Sequence, residues 1–332
     1  METVNIGVIG VGRIGRLHIE NIRKFIPGVD VRAISDPYAD LDEVAGAFGI
    51  AAKYRDYREL LARPEISTVI IASSTDTHAE IAIAAALAGK HIFCEKPVDP
   101  DPAKIREVID AVKKAGVRFQ VGFNRRFDHN FRKVRKTVES GTIGQVHVVR
   151  VTSRDPAPPP VSYVKVSGGL FCDMMIHDFD MVRYLSGSEP VEIYASGSVL
   201  IDPAIGEAGD VDTAAVLIKF ENGALGMIDN SRQAVYGYDQ RVEVFGSEGQ
   251  AVAYNDKPTT VEVSTKNSVT TDAIPYFFLD RYTGAFVDQF KSFFEAVRNG
   301  TPTEVDETDG LRSVEMALAA TQSFKTGLPQ KM

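Results

Sequence analysis

The chain has 332 residues, of which 44% are hydrophobic and 25% are charged. This balance is typical of a globular protein and argues against disordered, coiled-coil and membrane classes. The length exceeds that of a usual single hydrophobic core, so two domains are expected. With 37 basic and 45 acidic residues the net charge is −8, which has the wrong sign for binding nucleic acid through counterion release.

The chain carries no sequence signal for export or for a membrane. Its first residues lack the basic region and the apolar run of a signal peptide. No segment approaches the roughly 18 uninterrupted apolar residues that a membrane span needs. Cys94 and Cys172 lie in apolar surroundings and are predicted to be buried thiols. These features predict a cytoplasmic protein without a membrane partner.

From the start to about Phe123, short apolar runs alternate with amphipathic stretches. The apolar runs are rich in β-branched residues, which predicts buried strands at residues 4–9, 31–35, 68–72, 91–94 and 117–121. Helices are predicted at residues 14–25, 77–88 and 102–115. This alternation predicts an α/β domain over residues 1–123, with a doubly wound parallel sheet and right-handed crossovers.

The segment Gly10-Val-Gly12-Arg-Ile-Gly15 matches the pattern G-x-G-x-x-G between the first predicted strand and helix. Gly10 permits a tight turn, Gly12 lets the backbone approach a pyrophosphate, and Gly15 lets helix and strand pack closely. The helix N-terminus offers free N–H groups and a partial positive charge. The loop residues Gly10, Gly12, Arg13, Ile14 and Gly15 are therefore predicted to bind a dinucleotide.

Asp36 ends the second predicted strand, about twenty residues beyond Gly15, where a carboxylate accepts hydrogen bonds from the adenosine ribose. A 2′-phosphate would be repelled there, so NAD is predicted in preference to NADP. The alternative is that Asp36 only caps the turn before Pro37.

Polar residues also follow the third and fourth predicted strands, at the sheet edge where α/β proteins bind ligands. The residues assigned there to the cofactor are Ser73, Ser74, Thr75, His78, Glu95 and Lys96. Lys96 is also expected to stabilise charge on a substrate oxygen. Two alternatives stay open: a capping cluster with Thr75 or Asp76 as N-cap, and a surface Lys96 paired with Glu95.

After about residue 124 the pattern changes to strands joined by hairpins, marked by Asn222-Gly223 and by residues 246–249. Residues 155–160 are too rich in proline for a strand or a helix. Further helices are predicted at residues 126–139, 282–298 and 308–325. Residues 124–332 are therefore predicted to form an α+β domain with a large, mostly antiparallel open sheet.

Asp173 and His177 are four residues apart, which on a helix places a carboxylate one turn from an imidazole. Oxidation of a secondary alcohol needs a proton acceptor, and His177 suits that role. The prediction is that His177 takes the proton, Asp173 orients it, Lys96 polarises the oxygen and NAD accepts the hydride. The alternatives are a structural histidine or a metal site with Asp180; since hydride transfer to NAD requires no metal, none is predicted.

Together these motifs resemble the Gfo/Idh/MocA family of nicotinamide-dependent oxidoreductases over essentially the whole chain. Glu95-Lys96-Pro97 looks like the family's second signature and residues 168–180 look like its third. Within the family the chain is most similar to bacterial inositol 2-dehydrogenases. That similarity is carried by residues 120–127, 177–181, 210–213 and 236–242.

The resemblance implies an N-terminal Rossmann domain and a C-terminal domain that joins a homotetramer through its open sheet. It also implies Lys96, Asp173 and His177 as the catalytic set, and oxidation of myo-inositol at its axial hydroxyl to 2-keto-myo-inositol. The residues implied to hold substrate hydroxyls, besides that set, are Asn124, Asp155 and Tyr238. Met175 departs from the family pattern, because many members carry glycine there, and it bears on substrate shape.

Three alternative functions compete with this prediction. Another polyol or sugar, such as scyllo-inositol, chiro-inositol or a pyranose, would be separated by an assay over a substrate panel. A non-catalytic NAD(H) sensor would not need Lys96, Asp173 and His177 together. A structural oligomerisation module would leave the glycine loop unexplained.

Overall fold

A computed structural model describes residues 3–332, so Met1 and Glu2 of the N-terminal sequence lie outside the described residues. The strands are β1 (Val4–Ile9), β2 (Val29–Ser35), β3 (Ala52–Tyr54), β4 (Thr68–Ile71), β5 (His91–Cys94), β6 (Phe119–Val121), β7 (Val146–Arg154), β8 (Pro190–Ser198), β9 (Thr213–Phe220), β10 (Leu225–Ser231), β11 (Asp239–Gly246), β12 (Gly249–Ala253), β13 (Glu262–Ser264), β14 (Val269–Thr271) and β15 (Gln330–Lys331). The helices are α1 (Arg13–Phe25), α2 (Leu41–Phe48), α3 (Tyr57–Leu61), α4 (His78–Leu87), α5 (Pro102–Ala115), α6 (His129–Glu139), α7 (Val161–Val164), α8 (Gly169–Asp173), α9 (Ile176–Ser186), α10 (Pro203–Glu207), α11 (Phe278–Arg281), α12 (Thr283–Asn299) and α13 (Glu307–Thr326). Within residues 3–332 no helix combines the length and the apolar character that crossing a bilayer requires.

Six parallel strands form the first sheet, in the order β3-β2-β1-β4-β5-β6. This order belongs to a doubly wound fold in which the winding direction reverses between β1 and β4. The carboxyl ends of the strands beside that reversal are where such sheets bind dinucleotides. The predicted parallel sheet is therefore confirmed, and β3, a three-residue edge strand, is the one strand of this sheet that the sequence pattern did not predict.

Capping interactions at both ends define the bounds of α5. At the start of α5 the Asp101 side chain accepts a hydrogen bond from the backbone N–H of Ala103, and Pro102 occupies the first turn. At its end Gly116 adopts a left-handed conformation with φ +66°. The bounds of β1, β5 and α5 are therefore those expected from the sequence.

The chain folds into two compact units, and the first is not continuous in sequence. It comprises the chain through Phe127 together with the later segment Gly284–Val314. Helix α12 contributes Phe290, Phe293 and Phe294, each fully buried, to the same hydrophobic core as the strands of the parallel sheet. The predicted division into residues 1–123 and 124–332 assigns that later segment to the second domain instead.

The second unit is built on a seven-stranded sheet in the order β12-β11-β7-β10-β9-β8-β15. All neighbouring strands are antiparallel except β7 and β10, so the mostly antiparallel sheet is confirmed. Asn222-Gly223 makes the hairpin between β9 and β10, where Gly223 has φ +86°. Helices α6 and α9 pack on one face of the sheet.

The helix predicted to begin at residue 126 begins instead at His129. The Asp128 carboxylate accepts hydrogen bonds from the N–H groups of Asn130 and Phe131, which fixes Asp128 as the N-cap of α6. A short 3₁₀ turn, Asn124–Phe127, precedes this cap. The predicted start was wrong because the helix-like spacing of apolar residues continues through the 3₁₀ turn, whereas the helix itself begins only after the N-cap Asp128.

Candidate active site

The glycine loop between β1 and α1 has the shape that a dinucleotide phosphate requires. Gly10 has φ +87°, and a Cβ there would lie 2.4 Å from the backbone nitrogen of Ser73. A Cβ on Gly15 would lie 2.0 Å from the Gly10 carbonyl oxygen. Gly12, by contrast, is the N-cap of α1, and within the described part of the chain a Cβ there would meet nothing within 4 Å. The loop therefore leaves open space at the first N–H groups of α1, as pyrophosphate binding needs.

Asp36 joins the end of β2 to the glycine loop. Its Oδ2 accepts a hydrogen bond from the Val11 N–H at 3.0 Å, and its Oδ1 accepts from Tyr38 and Ala39 at 2.8 and 2.9 Å. Burial raises the pKa of Asp36, but these backbone donors outweigh burial and leave the pKa below its ordinary value. The turn-capping interaction weighed as an alternative is thus present, and the same carboxylate also holds the loop predicted to bind the cofactor.

His78 ties the loop after β4 to the loop after β5. It is buried, with Nδ1 2.8 Å from the Pro97 carbonyl oxygen and Nε2 3.0 Å from the Ser73 carbonyl oxygen. The Ser73 hydroxyl lies 2.7 Å from that of Thr77, which is the N-cap of α4. Neither Thr75 nor Asp76 caps α4, so the capping alternative for those two residues was wrong.

Glu95 and Lys96 follow the last residue of β5, at the ligand-binding edge of the parallel sheet. The backbone N–H of Glu95 donates to the Ile71 carbonyl at 2.9 Å, which continues the β4–β5 pairing. The Glu95 Oε1 lies 2.6 Å from Nε2 of His18, a fully buried residue of α1. Sequence reasoning did not identify His18, although its position eight residues after Gly10 on a helix opened by that loop could have suggested it.

Asp173 and His177 do not lie on one continuous helix, so that part of the prediction was wrong. Asp173 is the last residue of α8, and His177 is the second residue of α9. The N–H groups of Met174 and Met175 both donate to the Leu170 carbonyl, so the backbone widens there and α8 ends. The Met175 carbonyl then accepts from Asp178 and Phe179 and starts α9.

A buried arginine lies beside the Asp173 carboxylate. The Tyr163 hydroxyl donates to Oδ1 of Asp173 at 2.9 Å, and Nη1 of Arg232 lies 3.8 Å from Oδ2. Arg232 is only 1% exposed and also lies 3.5 Å from Oδ2 of Asp210. The Asp210 Oδ1 in turn accepts the Leu170 N–H. Sequence reasoning missed Arg232, because a single arginine in a strand-end loop carries no recognisable pattern.

Asp178, next to His177, fixes α9 onto the sheet. Its Oδ1 accepts a hydrogen bond from the Ser153 hydroxyl on β7 at 2.7 Å, and its Oδ2 accepts from the side-chain amide of Asn230 on β10 at 2.9 Å. All three side chains are buried. Met175, which departs from the family pattern, is also fully buried. Hydrogen bonds from the sheet to Asp178 thus fix the backbone next to His177.

Asp155 is hydrogen-bonded to the chain segment that carries Arg232, and Tyr238 lies a few residues farther along the chain. The backbone N–H of Asp155 donates to Ser231, and the Asp155 carbonyl accepts from Ala234. Tyr238 is buried and packs edge to face on Tyr282, with ring centroids 5.9 Å apart. The second unit therefore links Asp155 and Asp173 through one short segment, residues 231–234.

The predicted site residues divide between the two units. The first unit contains Gly10, Gly12, Arg13, Ile14, Gly15, Asp36, Ser73, Ser74, Thr75, His78, Glu95, Lys96 and Asn124, and the second contains Asp155, Asp173, His177 and Tyr238. Asn124 is buried and directly follows the loop after β6.

Comparison with known proteins gives concordant matches over both parts of the chain. Residues 4–123 match an oxidoreductase family with an NAD-binding Rossmann fold, and residues 131–252 match the GFO/IDH/MocA C-terminal domain. A protein of Thermotoga maritima named myo-inositol 2-dehydrogenase is 50% identical to this chain, over 97% of this chain and 96% of that protein.

Solved structures agree with this result. A crystal structure of a probable dehydrogenase from Thermotoga maritima has a TM-score of 0.96 at 48% identity and covers 98% of each chain. A crystal structure of scyllo-inositol dehydrogenase from Lactobacillus casei, with bound NAD(H) and scyllo-inositol, has a TM-score of 0.93 at 29% identity and covers 99% of this chain and 98% of that one. Since the two domains of one family occur in order along this single chain, the protein belongs to the Gfo/Idh/MocA family of NAD-binding oxidoreductases.

Proposed function

We propose that this protein is an NAD-dependent dehydrogenase that oxidises a secondary hydroxyl of a cyclic polyol, with myo-inositol as the preferred substrate and 2-keto-myo-inositol as the product. The observation that carries the proposal is a glycine loop shaped for a dinucleotide in the same chain as the Asp173–His177 segment. The relative named for myo-inositol shares half of its residues with this chain.

The first unit supplies the groups that hold the cofactor. Bound NAD would accept the hydride from the substrate carbon. In this proposal the N–H groups at the start of α1, next to Gly12, hold the pyrophosphate, and Asp36 accepts hydrogen bonds from the ribose hydroxyls; the hydrogen bond between Asp36 and the Val11 N–H supports this arrangement. The remaining predicted contacts lie in the first turns of α1 and α4 and in the segments that follow β4 and β5: Arg13, Ile14, Ser73, Ser74, Thr75, His78 and Glu95.

The proton is handled by groups of the chain itself. His177 takes the hydroxyl proton as general base, and Asp173 orients the imidazole. Lys96 donates a hydrogen bond to the substrate oxygen and stabilises the charge that develops there. Tyr163 and Arg232 keep the Asp173 carboxylate in place.

The substrate is proposed to be held by Asn124, Asp155 and Tyr238 in addition to the catalytic groups. Met175, which is fully buried, is proposed to affect which substrate shape is accepted. A preference for another isomer is the second candidate, favoured by the similarity to a structure that contains scyllo-inositol.

The proposal is tested by NADH formation, followed by absorbance, with the purified chain. The panel contains myo-inositol, scyllo-inositol, chiro-inositol and glucose, each with NAD⁺ and with NADP⁺. The expected result is the highest kcat/KM for myo-inositol with NAD⁺. A chain that oxidises glucose but no inositol would contradict the substrate, and a chain that oxidises none of the four would contradict the enzymatic function.

We also propose a homotetramer joined through the seven-stranded sheet, as the family resemblance implies. The face of the sheet opposite α6 and α9 carries an exposed apolar row in which Tyr194, Leu217 and Met227 are paired across β8, β9 and β10. Leu225 and Phe245 on the same sheet are exposed as well. Exposed apolar patches of this kind mark protein contacts. We call these five residues the open sheet face.

The proposed location is the cytoplasm. Cys94 and Cys172 are both free, and burial raises the pKa of each thiol above its ordinary value. Such thiols are compatible with a reducing compartment.

A further inference from the structure

His18 of α1 is hydrogen-bonded to Glu95, the residue that directly follows β5 at the ligand edge of the parallel sheet. The imidazole is fully buried, and its Nε2 is 2.6 Å from the Glu95 carboxylate. Its ring packs among Phe93, Phe286 and Phe290, at centroid distances of 5.7, 6.0 and 4.8 Å. Among the described residues Nδ1 has no hydrogen-bond partner. Because an ionised carboxylate can only accept, the Nε2–H of His18 donates to Glu95.

Glu95 is confined from the opposite side as well. A Cβ on Gly122, in the loop after β6, would lie 2.9 Å from Oε2 and 3.0 Å from Oε1 of Glu95. The carboxylate thus occupies the space that any larger residue at position 122 would need. Its side chain keeps 16% of its surface exposed. Glu95 is therefore a carboxylate held in one orientation, and part of its side-chain surface remains exposed.

We propose that His18 is a positioning residue that holds the Glu95 carboxylate so that it favours the oxidised cofactor, NAD⁺, over NADH. The inference rests on the proposed function, since it concerns the same cofactor site. The nicotinamide ring is positively charged in NAD⁺ and neutral in NADH. A fixed carboxylate beside this site attracts the charged ring and is indifferent to the neutral one. The hydrogen bond from His18 fixes that carboxylate.

This positioning role explains why a histidine, and not an apolar residue, occupies position 18 among aromatic side chains. Burying an imidazole with one unsatisfied nitrogen destabilises the fold, and phenylalanine would fill the same space without that cost. A histidine is retained where its hydrogen bond does something that packing alone cannot do. Here that hydrogen bond sets the orientation of the residue immediately before Lys96.

The test compares the dissociation constants of NAD⁺ and NADH, measured by calorimetry and by NADH fluorescence without substrate. The first variant, His18→Phe, keeps the aromatic packing, and the second, Glu95→Gln, removes the charge. In both, the Kd of NAD⁺ is expected to rise about five- to tenfold, while the Kd of NADH changes less than about twofold. His18→Gln restores a donor near Nε2 and is expected to keep the wild-type ratio. Adding His18→Phe to Glu95→Gln is expected to change the ratio no further.

Ile22→Ala is the matched control, because Ile22 is a fully buried residue of the same helix. It is expected to lower thermal stability and leave the ratio of the two constants unchanged. An equal weakening of NAD⁺ and NADH in His18→Phe would show a purely structural role and overturn the inference. If His18→Phe does not fold, Glu95→Gln decides the test by itself: a wild-type ratio of the NAD⁺ and NADH dissociation constants in that variant overturns the inference. A chain that binds both cofactors but oxidises no cyclitol contradicts the proposed function, while the ratio still decides the inference.

Discussion

At the scale of single residues, His177 is the group whose loss tests the chemistry most directly. Replacing it by alanine is expected to lower kcat about 10²-fold or more, because the general base is removed, and to leave the Kd of NAD⁺ unchanged. Steady-state kinetics and calorimetry measure the two quantities. His129→Ala is the control, since His129 is an exposed histidine that pairs with Asp256. Turnover that is unaffected in His177→Ala would remove this residue from the mechanism.

Arg232 is expected to stabilise the second unit. Arg232→Met leaves the carboxylates of Asp173 and Asp210 without the buried cation between them. Loss of one partner from a buried ionic cluster is expected to lower the free energy of unfolding by about 3 kcal/mol or more, measured by urea denaturation. The double variant with Asp210→Asn is expected to recover part of that loss. If Arg232→Met unfolds at the wild-type urea concentration, the cluster does not stabilise the unit.

Asp36 is expected to set the choice between NAD and NADP. Asp36→Ser removes the charge that opposes a 2′-phosphate and retains a short polar side chain for the turn. The nearby Arg55 donates to the carbonyl oxygens of Asp36 and Ala39, so a cation is already present at this position. The ratio of kcat/KM for NADP⁺ to that for NAD⁺ is expected to rise about tenfold or more. Adding Arg55→Gln should reverse part of the gain, and a ratio that stays constant in Asp36→Ser would contradict the ribose role.

At the scale of elements, Asp212 joins the end of β8 to the start of β9. Its carboxylate accepts hydrogen bonds from the N–H groups of Leu200, Ile201 and Asp202 and from the Thr213 hydroxyl. Burial raises the pKa of Asp212, but these donors outweigh burial and hold the pKa below its ordinary value. The carboxylate therefore favours the folded state at neutral pH.

The sign of this pH effect follows from linkage. A carboxylate whose pKa is lower in the folded state fully stabilises the fold at pH values above its unfolded pKa of about 4. That stabilisation is lost as the pH falls through the folded-state pKa. Asp212→Asn is expected to unfold at a lower temperature at pH 7 and to lose less stability than the wild type on acidification. Thermal melts at several pH values measure this. If the melting temperatures of Asp212→Asn and the wild type fell equally on acidification, the stabilising role of the Asp212 carboxylate would be contradicted.

The elements show what the sequence could and could not predict. Strands β1 and β5 were predicted at their observed bounds because they are short, apolar and buried on both faces of the sheet. The break between α8 and α9 could not be predicted, since Met174 and Met175 are good helix formers and the break depends on which N–H groups reach the Leu170 carbonyl. Local propensity does not encode that choice.

The same distinction applies to the site. The glycine loop and Asp36 could be predicted because local backbone geometry imposes a fixed spacing. The interactions of His18 with Glu95 and of Arg232 with Asp173 join residues far apart in sequence, 77 positions in the first case. No short-range pattern records such pairs, and only the fold brings them together.

At the scale of the whole molecule, the open sheet face is expected to control assembly. Leu217→Glu places a charge in the middle of the row formed with Tyr194 and Met227. Light scattering after size-exclusion chromatography is expected to show dimers or monomers in place of tetramers, because burying an unpaired carboxylate opposes association. Leu87→Glu is the control, since Leu87 is exposed at the end of α4 in the first unit. An unchanged mass for Leu217→Glu would place the interface elsewhere.

The discontinuous first unit has a consequence for synthesis on the ribosome. The core around β1 and β5 includes Phe290, Phe293 and Phe294 of α12, which emerge long after the strands they cover. Domains generally fold as they are synthesised, from the N-terminus onward. In this chain the nascent nucleotide-binding half must wait, with part of its apolar surface uncovered, until nearly nine-tenths of the polypeptide has been translated, about residue 294 of 332. A chaperone that shields that surface during the delay would act on this half of the nascent chain.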